Sequence, residues 1–350
     1  MRFELLKRSL AVPLRSATVK IRASAKGFTL QIKDRRGFAE VTPEKDEGVS
    51  WESEVDLATF ASLLEVLPLP PALSKEEEGV RVEVGRFRAL LYEVPPTPVP
   101  CSAPILFPTK LLTQDVRKGL KTLDRLGCDG FTIAPIGEAL GFVGVGSHGV
   151  IGVYAIPASR NLLPAVTIHR EEARFVESFL DLAPSVVGLG TAEEPLQGRG
   201  AKERVLGLTW TSGGYRFLVA LKGIGVAPEV LEVVKDLGER LMGRNPHMVL
   251  NKPKLPKGDL LAIRSTPHAL HVRTEDGQEV SLPAISPLPW TGEVRVRGGA
   301  VRRALEPFRG RVRLEVLPSH LFVSSAEEER GKGLGVAVPL VKTAKEVVCA

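Results

Sequence analysis

Residues 113–127 carry cationic side chains with the spacing of a surface that contacts a polyanion. Drawn as an α-helix, with about 100° of rotation per residue, the segment gathers its cations within an arc of about 100° and its leucines on the other side. These cations are Arg117, Lys118, Lys121 and Arg125. Lysine and arginine without interleaved aromatic residues suit sequence-independent contact with phosphates, and the alternative is an ordinary solvated helix face.

Further basic residues lie in other segments that are predicted to be helical. Acidic residues accompany several of them, and the predicted helix 56–66 has no basic residue, so positive charge is unevenly distributed among these helices. The additional candidates for phosphate contact are Arg170, Arg174, Lys235, Arg240, Arg302 and Arg303.

His148 lies in a stretch, residues 144–149, that formally matches the GxGxxG pattern. A dinucleotide site needs a helix directly after that pattern, but the segment that follows, VIGVYAI, is strand-like. Spacing places no nucleophile or carboxylate beside His148, which makes a catalytic base a poor interpretation. Two interpretations of His148 remain open: a plain turn residue, or a residue at the edge of a binding surface.

Other candidate ligands for metals are poorly arranged. His268 and His271 are an odd number of residues apart in a predicted strand, so they point to opposite faces. The acidic run 327–329 is expected to be a solvated turn. The three cysteines, Cys101, Cys128 and Cys349, are too far apart for a CxxC knuckle or a disulfide framework. We therefore expect no metal, no cofactor and no enzymatic activity.

Composition is that of a globular protein of two or three domains, since the chain has 350 residues, of which 43% are hydrophobic and 25% charged. No apolar run reaches the length of a membrane span, and the N-terminal residues lack a signal-peptide core, which favours a cytoplasmic protein. Lys and Arg total 47 against 41 Asp and Glu, a balance that permits nucleic-acid contact. Only three Asn and four Gln favour a thermophilic source.

An internal repeat organises the chain. Alternating hairpin segments begin near residues 17, 130 and 258, and strand–helix–hairpin segments begin near residues 51, 165 and 292. Each repeat is also expected to open with a helix, at 7–14, 113–127 and 229–243. Proline-rich residues 94–108 and the KGIGVAP break read as linkers. We predict an α+β fold of three tandem domains, 1–99, 100–223 and 224–350, each with two helices and antiparallel sheets.

This organisation resembles the β subunit of bacterial DNA polymerase III, the sliding clamp. The opening MRFELLKRSLAVPL is similar to the N-terminus of that family. GVGSHGVIG (144–152) falls where the family has a Thr-Asp-Gly-His-Arg-Leu motif, with His148 on its histidine and Gly149 in place of its arginine. The segment VAVPL (336–340) resembles the closing Met-Pro-Met stretch, and residues 342–350 extend beyond it.

The resemblance implies a head-to-tail homodimeric ring whose helices surround duplex DNA and which binds a DNA polymerase and a clamp loader. It also implies a pocket for partner peptides. The residues at the pocket positions are Cys128, His148, Val150, Pro228, His320, Val336, Val338, Pro339 and Leu340. Val336, Val338 and Leu340 could instead alternate in a core strand, and the tail 342–350 could lie over the pocket.

Two other interpretations stay open from the sequence. One is a clamp-fold interaction protein that does not encircle DNA, acting as a scaffold or as an antagonist of another clamp. The other, for which we find no acid–base cluster, is an enzyme built from tandem β domains.

Overall fold

The computed structural model describes most of the chain: residues 17–25, 27–34, 37–43, 48–98, 106–137, 139–158, 164–194, 203–226, 228–242, 248–286, 290, 292–326 and 332–341. The predicted helix 7–14, the acidic run 327–329 and the tail 342–350 lie outside these residues. The described helices are α1 (Leu57–Val66), α2 (Thr113–Arg125), α3 (Arg170–Leu180), α4 (Pro228–Met242) and α5 (Gly298–Leu305).

Strands make up most of the fold. The first group is β1 (Thr18–Ser24), β2 (Gly27–Asp34), β3 (Gly37–Pro43), β4 (Trp51–Asp56), β5 (Ala72–Lys75), β6 (Gly79–Val84) and β7 (Phe87–Tyr92). The second is β8 (Leu106–Leu112), β9 (Gly130–Ile136), β10 (Ala139–Val145), β11 (Ile151–Pro157), β12 (Val166–His169), β13 (Val186–Glu194), β14 (Glu203–Ser212) and β15 (Tyr215–Gly225). The third is β16 (Met248–Asn251), β17 (Leu260–Ser265), β18 (Ala269–Thr274), β19 (Glu279–Pro283), β20 (Glu293–Arg297), β21 (Arg311–Val316), β22 (His320–Ser325) and β23 (Gly333–Pro339).

The first of two compact units contains the described residues up to Arg117 together with Glu171–Gly225. Its larger sheet is antiparallel, in the order β4-β1-β2-β3-β15-β14-β13-β8, and a smaller sheet has the order β5-β6-β7. Alternating apolar side chains, among them Val19, Ile21 and Ile32, are fully buried, because one face of each strand meets the core. Asp56 caps α1, accepting a hydrogen bond of 2.7 Å from the Thr59 backbone N–H.

The second unit contains Lys118–Arg170 and the described residues from Val226 onward. Its larger sheet runs β16-β21-β22-β23-β11-β10-β9-β12, and a four-stranded sheet runs β19-β18-β17-β20. The predicted α+β fold with antiparallel sheets is confirmed. The two units divide the predicted middle domain between them, and the three domain boundaries stay a prediction.

Strand pairing follows the predicted repeat. The hairpin segments of the three repeats form the strand orders β4-β1-β2-β3, β12-β9-β10-β11 and β20-β17-β18-β19. The last strands of the three repeats are β7, β15 and β23, respectively. β15 pairs with β3, and β23 pairs with β11, both antiparallel. In each case the last strand of one repeat extends the hairpin sheet of the preceding repeat.

The helix predicted at 229–243 is present as α4, but it is not the equivalent of α2 in the repeat. β8 pairs with β13 and leads into α2, whereas the equivalent strand, β16, pairs with β21 and comes after α4. The segment after β16, residues 252–259, is not helical. Two prolines, Pro253 and Pro256, account for that, since proline removes a backbone donor and disfavours helix at the preceding residue.

α4 also lies on the opposite face of the second unit's sheet from α2. Phe142 and Tyr154 are register partners, as are Val143 and Val153, and the two pairs point to opposite faces. α2 packs on the first pair so closely that a Cβ at Gly119 would lie 2.9 Å from Phe142 Cγ. α4 packs in one apolar cluster with the second pair.

A buried ion pair fastens the first proline-rich linker to the first unit. Lys33 Nζ lies 2.7 Å from Glu54 Oε2, with both side chains almost fully buried. Lys33 also donates to the Thr97 carbonyl at 3.0 Å, and the Thr97 N–H donates to Glu54 Oε1 at 2.8 Å. Burial alone would raise the pKa of Glu54, but the hydrogen bonds that it accepts from Lys33, Thr18 and the Thr97 N–H lower it overall. The linker is therefore ordered against the sheet from residue 94 to residue 98.

None of the helices in the described ranges is both long enough and apolar enough to cross a membrane.

Candidate nucleic-acid interface

α2 is the most basic described helix surface. Its apolar side, Val116, Leu120 and Leu123, is buried as the sequence predicts. Gly127 ends the helix at φ +73°, where its N–H donates to the Asp124 carbonyl at 3.0 Å. The amphipathic pattern therefore fixes which side of α2 can meet solvent.

The α2 cations differ in exposure. Lys118, Lys121 and Arg125 are exposed. Lys118 Nζ lies 5.4 Å from the centroid of the Tyr154 ring, a cation–π distance. Arg117 is half-buried, and its guanidinium lies 2.8 Å from the Asp181 carboxylate. We name the three exposed residues, Lys118, Lys121 and Arg125, the α2 basic face.

α3 contributes one restrained cation and one exposed cation. Arg170 Nε lies 2.6 Å from Asp124 Oδ1, and its Nη2 donates to the Asp124 carbonyl at 3.2 Å. This pairing joins the start of α3 to the end of α2. Arg174 is exposed on the next turn.

α5 lies on the α2 side of the second unit. The Arg303 guanidinium donates to Ser147 Oγ and passes 3.8 Å from the position of a Cβ on Gly127, at the end of α2. Arg302 instead turns toward the segment after β16, donating to the carbonyls of Pro256 and Gly258 at 3.0 and 3.1 Å. Both arginines therefore have donors occupied by protein.

The structure does not bring the α4 cations to this surface. α4 packs on the other side of the sheet, and its cations are paired locally with acids. Lys235 Nζ is 3.9 Å from Glu239, and Arg240 contacts Asp236 at 3.1 Å and Glu315 at 2.8 Å. Their spacing in the sequence could not show that α4 belongs to the opposite face.

The predicted pocket residues converge around one turn. His148 and Gly149 both take positive φ, +62° and +72°, in the short turn after β10, and His148 is exposed. A Cβ at Gly149 would lie 3.1 Å from Pro339 Cγ. Pro339 in turn is the register partner of His320 on β22. Positive φ is uncommon for a non-glycine residue, and here it points the His148 side chain into solvent.

Other predicted pocket residues form the support beneath this surface. Val150, Val336 and Val338 are fully buried, so they lie in the core of the unit. Leu340 is half-buried, and its N–H donates to the Ser319 carbonyl at 2.9 Å. Pro228 begins α4, across the sheet. The surface that a peptide could touch therefore consists of His148, His320, Pro339 and Leu340.

Burial favours the neutral form of two groups at this site, the Cys128 thiol beneath the surface and the His320 imidazole on it. Burial raises the pKa of the Cys128 thiol to about 12, and its sulfur packs under the turn against Gly144 and Gly146. Burial also lowers the pKa of His320, whose Nδ1 is 2.7 Å from Ser319 Oγ. A neutral imidazole beside Pro339 and Leu340 suits apolar side chains of a partner.

Within the described ranges, no three His, Cys, Asp or Glu side chains are grouped to hold a metal ion. The sequence analysis missed one basic segment, residues 252–259, which runs along α5. Three lysines and two prolines in KPKLPKG were its signal.

The repeated sheets and their helices define a class: the chain has the fold of bacterial DNA sliding clamps, as the sequence resemblance predicted. No protein-family model matches the chain, and no curated protein matches its sequence.

Solved structures that the chain resembles include sliding clamps from several bacteria. The C. crescentus beta sliding clamp is 14% identical over 97% of this chain and 98% of its own, with a TM-score of 0.66. The Bacillus subtilis DNA polymerase sliding clamp is 11% identical over 97% of this chain and 96% of its own, with a TM-score of 0.64. The Thermotoga maritima DNA polymerase III beta subunit is 12% identical over 98% of this chain and 97% of its own, with a TM-score of 0.61.

Proposed function

We propose that the chain is a DNA sliding clamp, a processivity factor without catalytic activity of its own. Two copies close head to tail around duplex DNA in the cytoplasm, a clamp loader opens the ring, and a replicative polymerase binds the surface around His148 and Leu340. Such a ring acts through effective concentration, since it turns rebinding of the polymerase to DNA into a nearly intramolecular event.

The observation that carries this proposal is an incomplete cycle of strand pairing. β15 extends the sheet of β3, and β23 extends the sheet of β11. By the same rule β7 should extend the sheet of β19, yet among the described residues each of these strands pairs on one edge only. In a head-to-tail dimer, β7 of each copy would pair with β19 of the other, so that both edges are paired. Such a heterologous contact gives a closed ring when its rotation leads back to the first copy.

The side chains of β7 support this pairing. Phe87 follows a two-residue turn as Tyr215 does, and Tyr215 pairs with Pro43, the last residue of β3. β19 likewise ends in a proline, Pro283. We therefore place Phe87 opposite Pro283 and Ala89 opposite Ser281 of a second copy. Phe87 and Tyr92 are 42% and 67% exposed in the single chain, as expected of residues awaiting a partner.

The test is a ring closed covalently on DNA. With Cys101 and Cys349 replaced by serine, the double variant Ala89→Cys, Ser281→Cys is mixed with nicked circular DNA and oxidised. We expect a disulfide-linked dimer that stays on the circle in denaturant and high salt, and that is released when the circle is cut. Reduction should release it equally.

A matched control uses Ala262, which lies on the central strand β17 rather than on an edge. The pair Ala89→Cys, Ala262→Cys should give no linked dimer. A strictly monomeric protein, or linked dimers that never become trapped on circles, would contradict the encircling function. Peptide binding by such a protein would then favour the interaction-protein alternative.

A further inference from the structure

The segment after β16, residues 252–259, takes a place that a helix holds in the middle repeat. β8 is followed by α2, and the equivalent strand β16 is followed by this segment, which we name the basic loop. Its charged residues are Lys252, Lys254 and Lys257, with Asp259 at its end, so its net charge is positive. The loop therefore occupies the position of a basic helix and keeps its sign of charge.

Hydrogen bonds hold the basic loop against α5 and the residues that follow it. At one end Lys252 Nζ donates to the Phe308 carbonyl at 2.8 Å and to the Glu306 carbonyl at 3.3 Å. At the other end Arg302 donates to the carbonyls of Pro256 and Gly258. These bonds, with two prolines between them, fix the backbone path of the loop and therefore the positions from which its remaining side chains extend.

Lys252, Lys254 and Lys257 are all exposed, but Lys254 and Lys257 take no part in these anchoring bonds. Lys252 and Arg302 have donors bound to backbone carbonyls and act mainly as anchors. Because α5 lies on the α2 side of the second unit, the basic loop shares that side with the α2 basic face, whereas α4 lies across the sheet.

We propose that Lys254 and Lys257 of the basic loop bind backbone phosphates of the encircled duplex. This inference rests on the proposed sliding-clamp function. The ligand is the phosphate backbone rather than the bases, since two separated ammonium groups offer donors only and suit the anionic phosphates of any sequence. A prolyl–lysyl loop thus replaces a helix face as the phosphate contact of the third repeat.

The experiment uses the covalently closed ring on circular DNA. A photoreactive benzophenone is attached through Lys254→Cys, and in a second protein through Lys235→Cys on α4. Both positions are exposed lysines in one unit, on opposite sides of its sheet. We expect a cross-link to DNA from position 254 and none from position 235.

Charge provides an independent readout. The variant Lys254→Gln, Lys257→Gln should bind duplex DNA with a log–log salt dependence that is shallower by up to about 2, given about 0.9 per phosphate contact. Lys235→Gln should leave the slope unchanged.

Failure of the loop and failure of the clamp function give different results. If the ring is trapped on circles but position 254 gives no cross-link and the slope does not change, the basic loop does not contact DNA and the proposed function stands. If no ring is trapped, the proposed function itself is contradicted.

Discussion

Reversing the charge of the α2 basic face should reduce the retention of the assembled, uncross-linked ring on circular DNA by on the order of 10²-fold near physiological salt. The triple variant Lys118→Glu, Lys121→Glu, Arg125→Glu removes three exposed cations and places three anions beside the phosphates. The loss should not depend on DNA sequence, and for wild type retention should itself decline as salt rises. The measurement is the fraction of protein that co-elutes with circular DNA at several salt concentrations.

The control is the double variant Lys235→Glu, Arg264→Glu. Lys235 lies on α4, and Arg264 is exposed on the side of β17 that alternates with the buried Leu261 and Ile263. Its retention should equal that of wild type. If the triple variant folds and is retained as well as wild type, α2 does not line the DNA channel.

Leu340→Asp should weaken binding of a polymerase-derived clamp-binding peptide by at least about tenfold, and by more if Leu340 is an energetic anchor. Leu340 is half-buried at the end of β23, beside Pro339 and the neutral His320. A carboxylate there would meet the apolar side chains that such a peptide inserts. The measurement is a fluorescence titration with the labelled peptide.

Leu340 suits this test better than Val338, because only Leu340 can be changed to a charged residue without disturbing the core. Val338 is fully buried, so an aspartate there would unfold the strand and mimic a loss of binding. The matched control is Ile285→Asp, at an apolar residue 50% exposed in the same unit. Unchanged peptide affinity in Leu340→Asp, with thermal unfolding like that of wild type, would place the pocket elsewhere.

Removing residues 342–350 should leave binding of the same peptide intact or strengthen it.

The sequence predicts the elements of this fold well because their signals are local. Alternation over residues 18–32 identifies β1 and β2, and the 3.6-residue period over 113–127 identifies α2 and its buried side. The duplicated spacing adds long-range information, since equal offsets between two features relate whole domains rather than single strands.

Placement of α4 could not be predicted, because an amphipathic helix pattern does not say which side of a sheet it covers. Its apolar stripe at Val234, Leu237 and Leu241 would suit either side. Only the observed strand pairing shows that α4 is not the equivalent of α2, because β16 follows α4 whereas β8 precedes α2.

The charge of a residue is likewise visible in the sequence, whereas its partner is not. Arg170 and Arg302 look like the exposed cations of α2, but Asp124 and the carbonyls of the basic loop, which bind them, are 44 or more residues away in sequence. Conversely, the lysines of the basic loop follow no helical or strand period, so the search by periodicity missed them.

The pairing of β3 with β15 has a consequence for synthesis on the ribosome. β3 ends at Pro43, but its partner β15 is complete only when the chain has been made as far as Gly225. β11 likewise has no partner on that edge until β23 is complete at Pro339. During elongation each of these strands presents an unpaired edge while more than a hundred further residues are made. A nascent chain of this protein should therefore need a chaperone, or fast translation, more than a protein whose neighbouring strands follow one another.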